Sequence, residues 1–384
     1  MKRLFLICIV FLMSAGVHGT WIPLTPGAAD GTAPAIHNTA ISGSDTTFNV
    51  TVSGMNVMET RNEQGVFQKL VLPGSGIMTD TGAPQVPAIR TNVIVPRDGA
   101  VSLQVSVNRT VTLDNYSVWP AQPSYKRSEA EPPFQINPRV YESDALYPGS
   151  WGRISQDAVM RDFRFVTVEL NPIRANPLTG ELVAATDLTV QVVTDGSDWG
   201  PYEIYPVFDL LYRNNLMNYH LLETGVRSDA EPMLIICHDA FMADMAPFVE
   251  WKTKRGIDVT MVSSTETGTT SGAIQTYIQN VWATWNPQPV YIILVGDAPQ
   301  LNPLYGIGSC ASDSMFTLLE GGDLVPDVFI SRMSAGNVSE LSPQLDKIMT
   351  YETNPVPGEW LNKFAGLASS EGSGPSDEEY SQGV

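Results

Sequence analysis

Cysteine is scarce in this chain of 384 residues, with three in all: Cys8, Cys237 and Cys310. Cys8 lies in a segment expected to be removed, and two cysteines cannot staple a chain of this length, so a disulfide scaffold is excluded. Cys237 sits in an unbroken apolar run and reads as a buried strand thiol. Positive charge is also short, with 22 Lys and Arg against 41 Asp and Glu, a formal net of −19. Phosphate backbones need clustered cations, so nucleic acid is excluded as a partner, and so is an anionic membrane surface. Beyond the N-terminus no run is long and apolar enough to span a bilayer, so no membrane insertion is expected. The sequence has no G-x-S-x-G, no H-E-x-x-H, no phosphate-binding glycine loop and no zinc-ligand spacing. No cofactor is required by what remains, although acidic loops suit a structural Ca2+.

The N-terminus carries an export signal. Lys2 and Arg3 precede an apolar stretch from Leu4 to Met13, followed by compact residues through Gly19. That order is a secretory signal over residues 1–19, too short to be a membrane anchor. The expected location is therefore secreted, extracellular or at the cell surface.

Residues 20–45 are rich in Gly, Ala, Pro and Thr and read as an extended leader. From 46 to about 200 the pattern alternates with period two, as in Val101-Ser102-Leu103-Gln104-Val105-Ser106-Val107 and Asp187-Leu188-Thr189-Val190-Gln191-Val192-Val193. Turn residues such as Pro73-Gly74 and Asp98-Gly99 separate the runs. The expectation is an all-β, sandwich-like domain. Residues 201–231 form a connection. Its helix, expected over 209–225, shows Tyr212, Leu216, Tyr219 and Leu222 on one face, and its polar tail around Arg227 reads as exposed and mobile.

After Pro232 the pattern changes. Met233-Leu234-Ile235-Ile236-Cys237 is continuously apolar, typical of a strand buried on both faces. Helices are expected over 242–255, closed by Gly256, over 271–285 and over 339–351. Strands are expected over 258–262, 290–295, 328–330 and 364–369. Alternating β and α elements give a parallel, doubly wound sheet over 232–384, incomplete because its last helix and strand are missing from the pattern.

Sites in open α/β sheets form beyond the carboxyl ends of the strands. His238-Asp239, Gly296-Asp297 and Ser370-Glu371 fall there, with an acidic loop from Asp313 to Asp327 between. His238, Asp297 and Asp313 are the candidate lining residues. Asp297 and Asp323 equally suit helix capping or loop closure. Cys237 and His238 are neighbours in a strand, so their side chains point to opposite faces and do not form a nucleophile–base pair.

Residues 232–375 resemble the gingipain-type cysteine peptidases. The resemblance rests on Val249-Glu250-Trp251-Lys252-Thr253-Lys254-Arg255-Gly256, on Tyr291-Ile292-Ile293-Leu294-Val295-Gly296-Asp297, on Ile330-Ser331-Arg332 and on Ala368-Ser369-Ser370-Glu371-Gly372-Ser373-Gly374-Pro375. Residues from about 46 to 226 are similar to that family's propeptide, through Gly82-Ala83-Pro84-Gln85-Val86-Pro87, Tyr147-Pro148 and Pro177-Leu178-Thr179-Gly180. The resemblance implies a caspase-like α/β domain and cleavage of peptide bonds in protein or peptide substrates by a Cys/His pair. The family's T-G-H-G-like and A-C-x-x-G-like segments do not occur here, so that pair is expected beyond residue 384. Glu371 matches the carboxylate that supports the catalytic His. Arg227 matches the place where propeptide and catalytic domain are cut apart. Two other classes are compatible with the residues: a noncatalytic surface protein or adhesin using the same scaffold, and a carbohydrate- or Ca2+-binding sandwich.

Overall fold

We describe a computed structural model covering residues 19–125, 130–201, 203–306 and 309–363. Its strands run β1 (Thr20–Pro23), β2 (Ala35–Ser42), β3 (Asp45–Thr51), β4 (Gly54–Asn62), β5 (Gly65–Val71), β6 (Gly76–Ile77), β7 (Pro87–Val95), β8 (Val101–Leu113), β9 (Gly152–Met160), β10 (Phe163–Leu170), β11 (Ile173–Asn176) and β12 (Glu181–Thr194). A connection follows with β13 (Glu203–Ile204), α2 (Pro206–Asn215) and β14 (Gly225–Val226), α1 (Pro138–Tyr141) being a single turn before it. Then come β15 (Glu231–Cys237), α3 (Ala246–Lys254), β16 (Ile257–Ser263), α4 (Ser264–Thr267), α5 (Ser271–Thr284), β17 (Tyr291–Val295), β18 (Phe329–Met333) and α6 (Val338–Thr353).

The chain divides into two compact units, and the division is not one cut. Among the described residues, the first holds those up to Gln156, then Val166–Ser197 and Leu216–Leu221; the second holds Asp157–Phe165, Asp198–Asn215 and those from Leu222 to Lys363. The expected boundary at 200 is thus crossed twice, once by the turn between β9 and β10 and once by residues 216–221.

In the first unit three sheets surround one core. Their orders are β1-β4-β5, β6-β7-β10-β9 and β11-β12-β3-β2, with β8 also on β12. Alternation puts Phe48, Val50, Leu182, Leu188, Val190 and Val192 into that core, which is the period-two reading of the sequence made physical. The leader is extended, as expected, but it is built into the sheets. β1 pairs antiparallel with β4, and β2 with β3. Backbone hydrogen bonding holds these segments, since β2 has exposed or half-buried residues throughout.

In the second unit the sheet is parallel throughout, in the order β16-β15-β17-β18. β15 is central and buried from Pro232 to Cys237, as its unbroken apolar run requires. One face carries Met233, Ile235, Cys237 and Val295 against Phe248 of α3 and Leu341 and Leu345 of α6. The other carries Leu234, Ile236, Ile292 and Leu294 against Ile274, Ile278 and Val281 of α5. Helices on both faces make the sheet doubly wound. α5 starts where Thr270 accepts the Ala273 amide, a side-chain N-cap. α3 ends at Gly256, whose φ of +88° suits only glycine without strain.

The connecting helix is shorter than the periodicity predicts. α2 stops at Asn215, and a short 3-10 helix covers Tyr219–Leu221. The polar tail expected to be mobile is hydrogen-bonded: β14 pairs parallel with β13, and the Arg227 amide donates to the Ile204 carbonyl at 2.8 Å.

Candidate functional site

The carboxyl ends of β15, β17 and β18 converge, and the convergence is made of backbone. The His238 amide donates to the Val295 carbonyl at 2.9 Å, the Gly296 amide to Met333, and the Asp297 amide to Ala335, both at 3.0 Å. Gly296 has φ of +142°, and a Cβ there would lie 2.9 Å from the Gln300 Cβ and 3.5 Å from the His238 Cβ. A glycine is required because the β17 end passes so closely under the His238 and Gln300 side chains.

His238 is half-buried. Its Nδ1 accepts the Ala240 amide at 3.4 Å, and its ring lies 5.6 Å from that of Phe241. Asp239 turns toward the end of β16, where its carboxylate accepts the Thr265 hydroxyl at 2.7 Å and the Thr265 amide at 3.2 Å. Those bonds stabilise the ionised form and hold Asp239 below the usual carboxylate range. Asp297 accepts the Ser334 hydroxyl at 2.6 Å, which lowers its pKa in the same way. The structure therefore brings His238 and Asp297 to one edge, each carrying a local structural bond as well.

Asp313 joins them through an arginine. Its two oxygens take Arg332 Nε and Nη2, each at 2.7 Å. The same guanidinium donates from Nη1 to the carbonyls of Gly296 at 2.8 Å and Leu301 at 2.9 Å. Arg332 is the residue that sorting by strand ends overlooks: it stands inside β18, where an alternating pattern shows only a polar position.

The rest of the acidic loop is committed to hydrogen bonding. Asp323 accepts the amides of Val159 and Val325. Asp327 is fully buried and accepts those of Arg161, Leu319 and Glu320. Glu320 takes the Trp282 indole N–H. Loop closure, one of the two roles the sequence allows for Asp323, is the one its bonds serve. Among the described residues no three His, Cys, Asp or Glu side chains gather as a metal site would need.

Neither described cysteine is in a disulfide; Cys237 is buried and Cys310 exposed. Burial pushes the Cys237 thiol up to about 12, so it stays a neutral, inert thiol near neutrality. Glu371 lies outside the described residues, as do most of the expected signal and the strand expected over 364–369. Arg227 is half-buried, not fully exposed. Its guanidinium holds the Asp229 carboxylate through bonds of 2.9 and 2.7 Å and lies 4.7 Å from the Tyr205 ring centre.

A β-sheet unit and a parallel α/β unit with polar groups gathered at its carboxyl edge define a two-part protein with a candidate site in the second part. Its family follows from comparison with known proteins. The C25 propeptide model matches residues 36–223 and the model of peptidase family C25 matches residues 227–383. The chain belongs to the gingipain-type C25 peptidases, of which it contains the propeptide and part of the peptidase domain. Lys-gingipain W83 of Porphyromonas gingivalis is 24% identical over 97% of this chain and 22% of the relative. Gingipain R2 of the same organism is 26% identical over 85% of this chain and 46% of the relative. The chain thus spans less than half the length of these relatives. Among solved structures, the complex of Porphyromonas gingivalis RgpB pro- and mature domains matches at 19% identity and a TM-score of 0.43, covering 47% of this chain and 95% of that one. Among the described residues no helix is long and apolar enough to cross a membrane.

Proposed function

We propose that this chain is the leading part of a secreted cysteine endopeptidase precursor. In this reading residues 1–19 direct export, the region up to Arg227 is a propeptide, and the unit that follows is the first part of a caspase-like catalytic domain. The Cys/His pair lies beyond residue 384, Glu371 supports the His, and His238, Asp297 and Asp313 line the substrate side of the site. The observation that carries the reading is the seam between the two family matches, which leaves only residues 224–226 between propeptide and peptidase and puts Arg227 first in the peptidase part. Protein or peptide substrates follow from the family.

The test compares two proteins on a general peptide mixture: this chain, and the product of a coding sequence extended beyond residue 384. This chain should show no turnover, because its buried thiol lacks a paired base. The longer product, once cut after Arg227, should show turnover that iodoacetamide abolishes. A longer product that stays inactive after the cut favours the noncatalytic surface-protein reading.

The cut itself makes a further prediction. An Arg-directed protease should cleave this chain first after Arg227, before Arg213 or Arg255. The Asp229 clasp should slow that cut, and Asp229→Asn should speed it about twofold, since a half-exposed pair is worth about 0.5 kcal/mol. Mass measurement of the first fragments reads both. Earlier cleavage at Arg213 or Arg255 removes the processing assignment.

A further inference from the structure

The turn between β9 and β10 lies within the propeptide match, yet it belongs to the second unit. At its tip Arg161 has φ of +47°, a left-handed conformation that costs energy for a residue with a Cβ. From there both its backbone amide and its guanidinium reach residues that precede β17 and β18. The amide donates to the buried Asp327 carboxylate at 2.8 Å. The guanidinium donates to the carbonyls of Pro289 at 2.7 Å, Asp327 at 3.2 Å and Gln288 at 3.2 Å. It also lies 4.9 Å from the Phe208 ring centre and 5.2 Å from that of Trp282. Two residues earlier the Val159 amide donates to Asp323 at 2.8 Å.

These receivers lie where β17 and β18 begin, whereas the candidate site lies where they end. One loop joins the two places. It leaves the carboxyl end of β17 at Gly296 and returns to the start of β18 at Phe329. Asp313 fastens it at the site end through Arg332. Asp327 fastens it at the other end by accepting the Leu319 and Glu320 amides at 2.9 and 2.8 Å with one oxygen while its other oxygen takes the Arg161 amide.

We propose that the Arg161 turn is a brace supplied by the propeptide to the peptidase unit, and that it holds the 313–327 loop in the conformation that keeps Asp313 on Arg332 at the site. Arg161 is then a positioning residue that acts on the site edge from the opposite end of the sheet. Burial raises the Asp327 pKa against the effect of its three amide donors, so this carboxylate depends on keeping all of them. The importance of the brace for catalysis rests on the peptidase reading; its existence does not.

The experiment is amide hydrogen exchange on the full chain, with Arg161→Gly as the main variant. Glycine keeps the left-handed turn and the amide bond to Asp327 while removing the side chain with its guanidinium. Exchange at Leu319, Glu320 and Asp327 should quicken at least tenfold, and that of Leu301 about threefold, while Leu234 and Leu294 in the sheet stay as they were. Arg161→Lys, which keeps the charge and loses the fork, should fall between the two. Unchanged exchange at Leu319 and Glu320 overturns the proposal, and so does an equal quickening of all these amides, which would mark Arg161 as generally stabilising. Failure of the peptidase reading would show separately, as an inactive longer product with the exchange pattern intact.

Discussion

Replacing Arg332 by methionine should destabilise the second unit by about 3 kcal/mol and loosen the site edge, the larger of the effects expected there. The side chain is only 13% exposed and its partner Asp313 22%. Methionine fills much of the same volume but leaves Asp313 as a poorly solvated, uncompensated carboxylate and strips donors from the Gly296 and Leu301 carbonyls. Breaking a buried pair from one side costs about 3–5 kcal/mol, less where some solvent reaches it. Arg332→Lys should cost about half as much, because one ammonium cannot serve a carboxylate and two carbonyls in a fixed fork. The double variant Arg332→Met with Asp313→Leu should be more stable than Arg332→Met alone, since no charge is then stranded. Urea unfolding followed by hydrogen exchange at Gly296 to Leu301 reads both effects. A loss below about 0.5 kcal/mol for Arg332→Met, the range of an ordinary surface change, would show that the site edge does not depend on this fork.

What the sequence disclosed and what it concealed divide along physical lines. β15 and β17 were legible because strands buried on both faces must be apolar at every position. α5 was legible from Ile274, Ile278 and Val281 on one face, with a threonine cap before it. His238 and Asp297 were legible because topology alone puts strand ends together. β1 and β2 were not, since edge strands held by backbone bonds need no apolar pattern, and their Gly, Ala and Thr content looks the same in a free leader. The fastenings were least legible. Arg161 meets Asp327 across 166 positions and Arg332 meets Gly296 across 36. No local period encodes such a pairing. The partners of Arg227, namely Asp229, Tyr205 and Ile204, were hidden for a related reason, since its polarity alone does not name them.

The helix that stopped early carries the second large effect. The spacing of Tyr212, Leu216, Tyr219 and Leu222 suits one helix, but the chain leaves helical geometry after Asn215, and Asn218 is fully buried in the first unit. Its Oδ1 accepts the Ile94 amide at 2.8 Å, and its Nδ2 donates to the Ile94 carbonyl at 2.9 Å and to the Thr46 hydroxyl at 3.1 Å. The side-chain amide thus stands in for a neighbouring strand on β7, satisfying both backbone groups of one residue. The Met217 amide adds a bond to the Asn92 carbonyl at 2.9 Å, so residues 216–221 are fixed to the first unit although the sequence on either side belongs to the second. Asn218→Ala should cost about 3 kcal/mol, from an unpaired buried donor, an unpaired buried acceptor and a small void. Asn218→Asp gives a sharper result. A carboxylate can accept the Ile94 amide but cannot donate to the Ile94 carbonyl unless it is protonated, so its folded pKa should rise above the ordinary value of about 3.9. The folded state then binds the proton more tightly than the unfolded state, and stability should fall as pH rises from the unfolded pKa through the folded one. Thermal unfolding between pH 4 and pH 8 should show Asn218→Asp nearest to the parent at the acid end and furthest from it at the neutral end. A constant difference across that range would mean that the side chain does not serve Ile94 in the way its geometry shows.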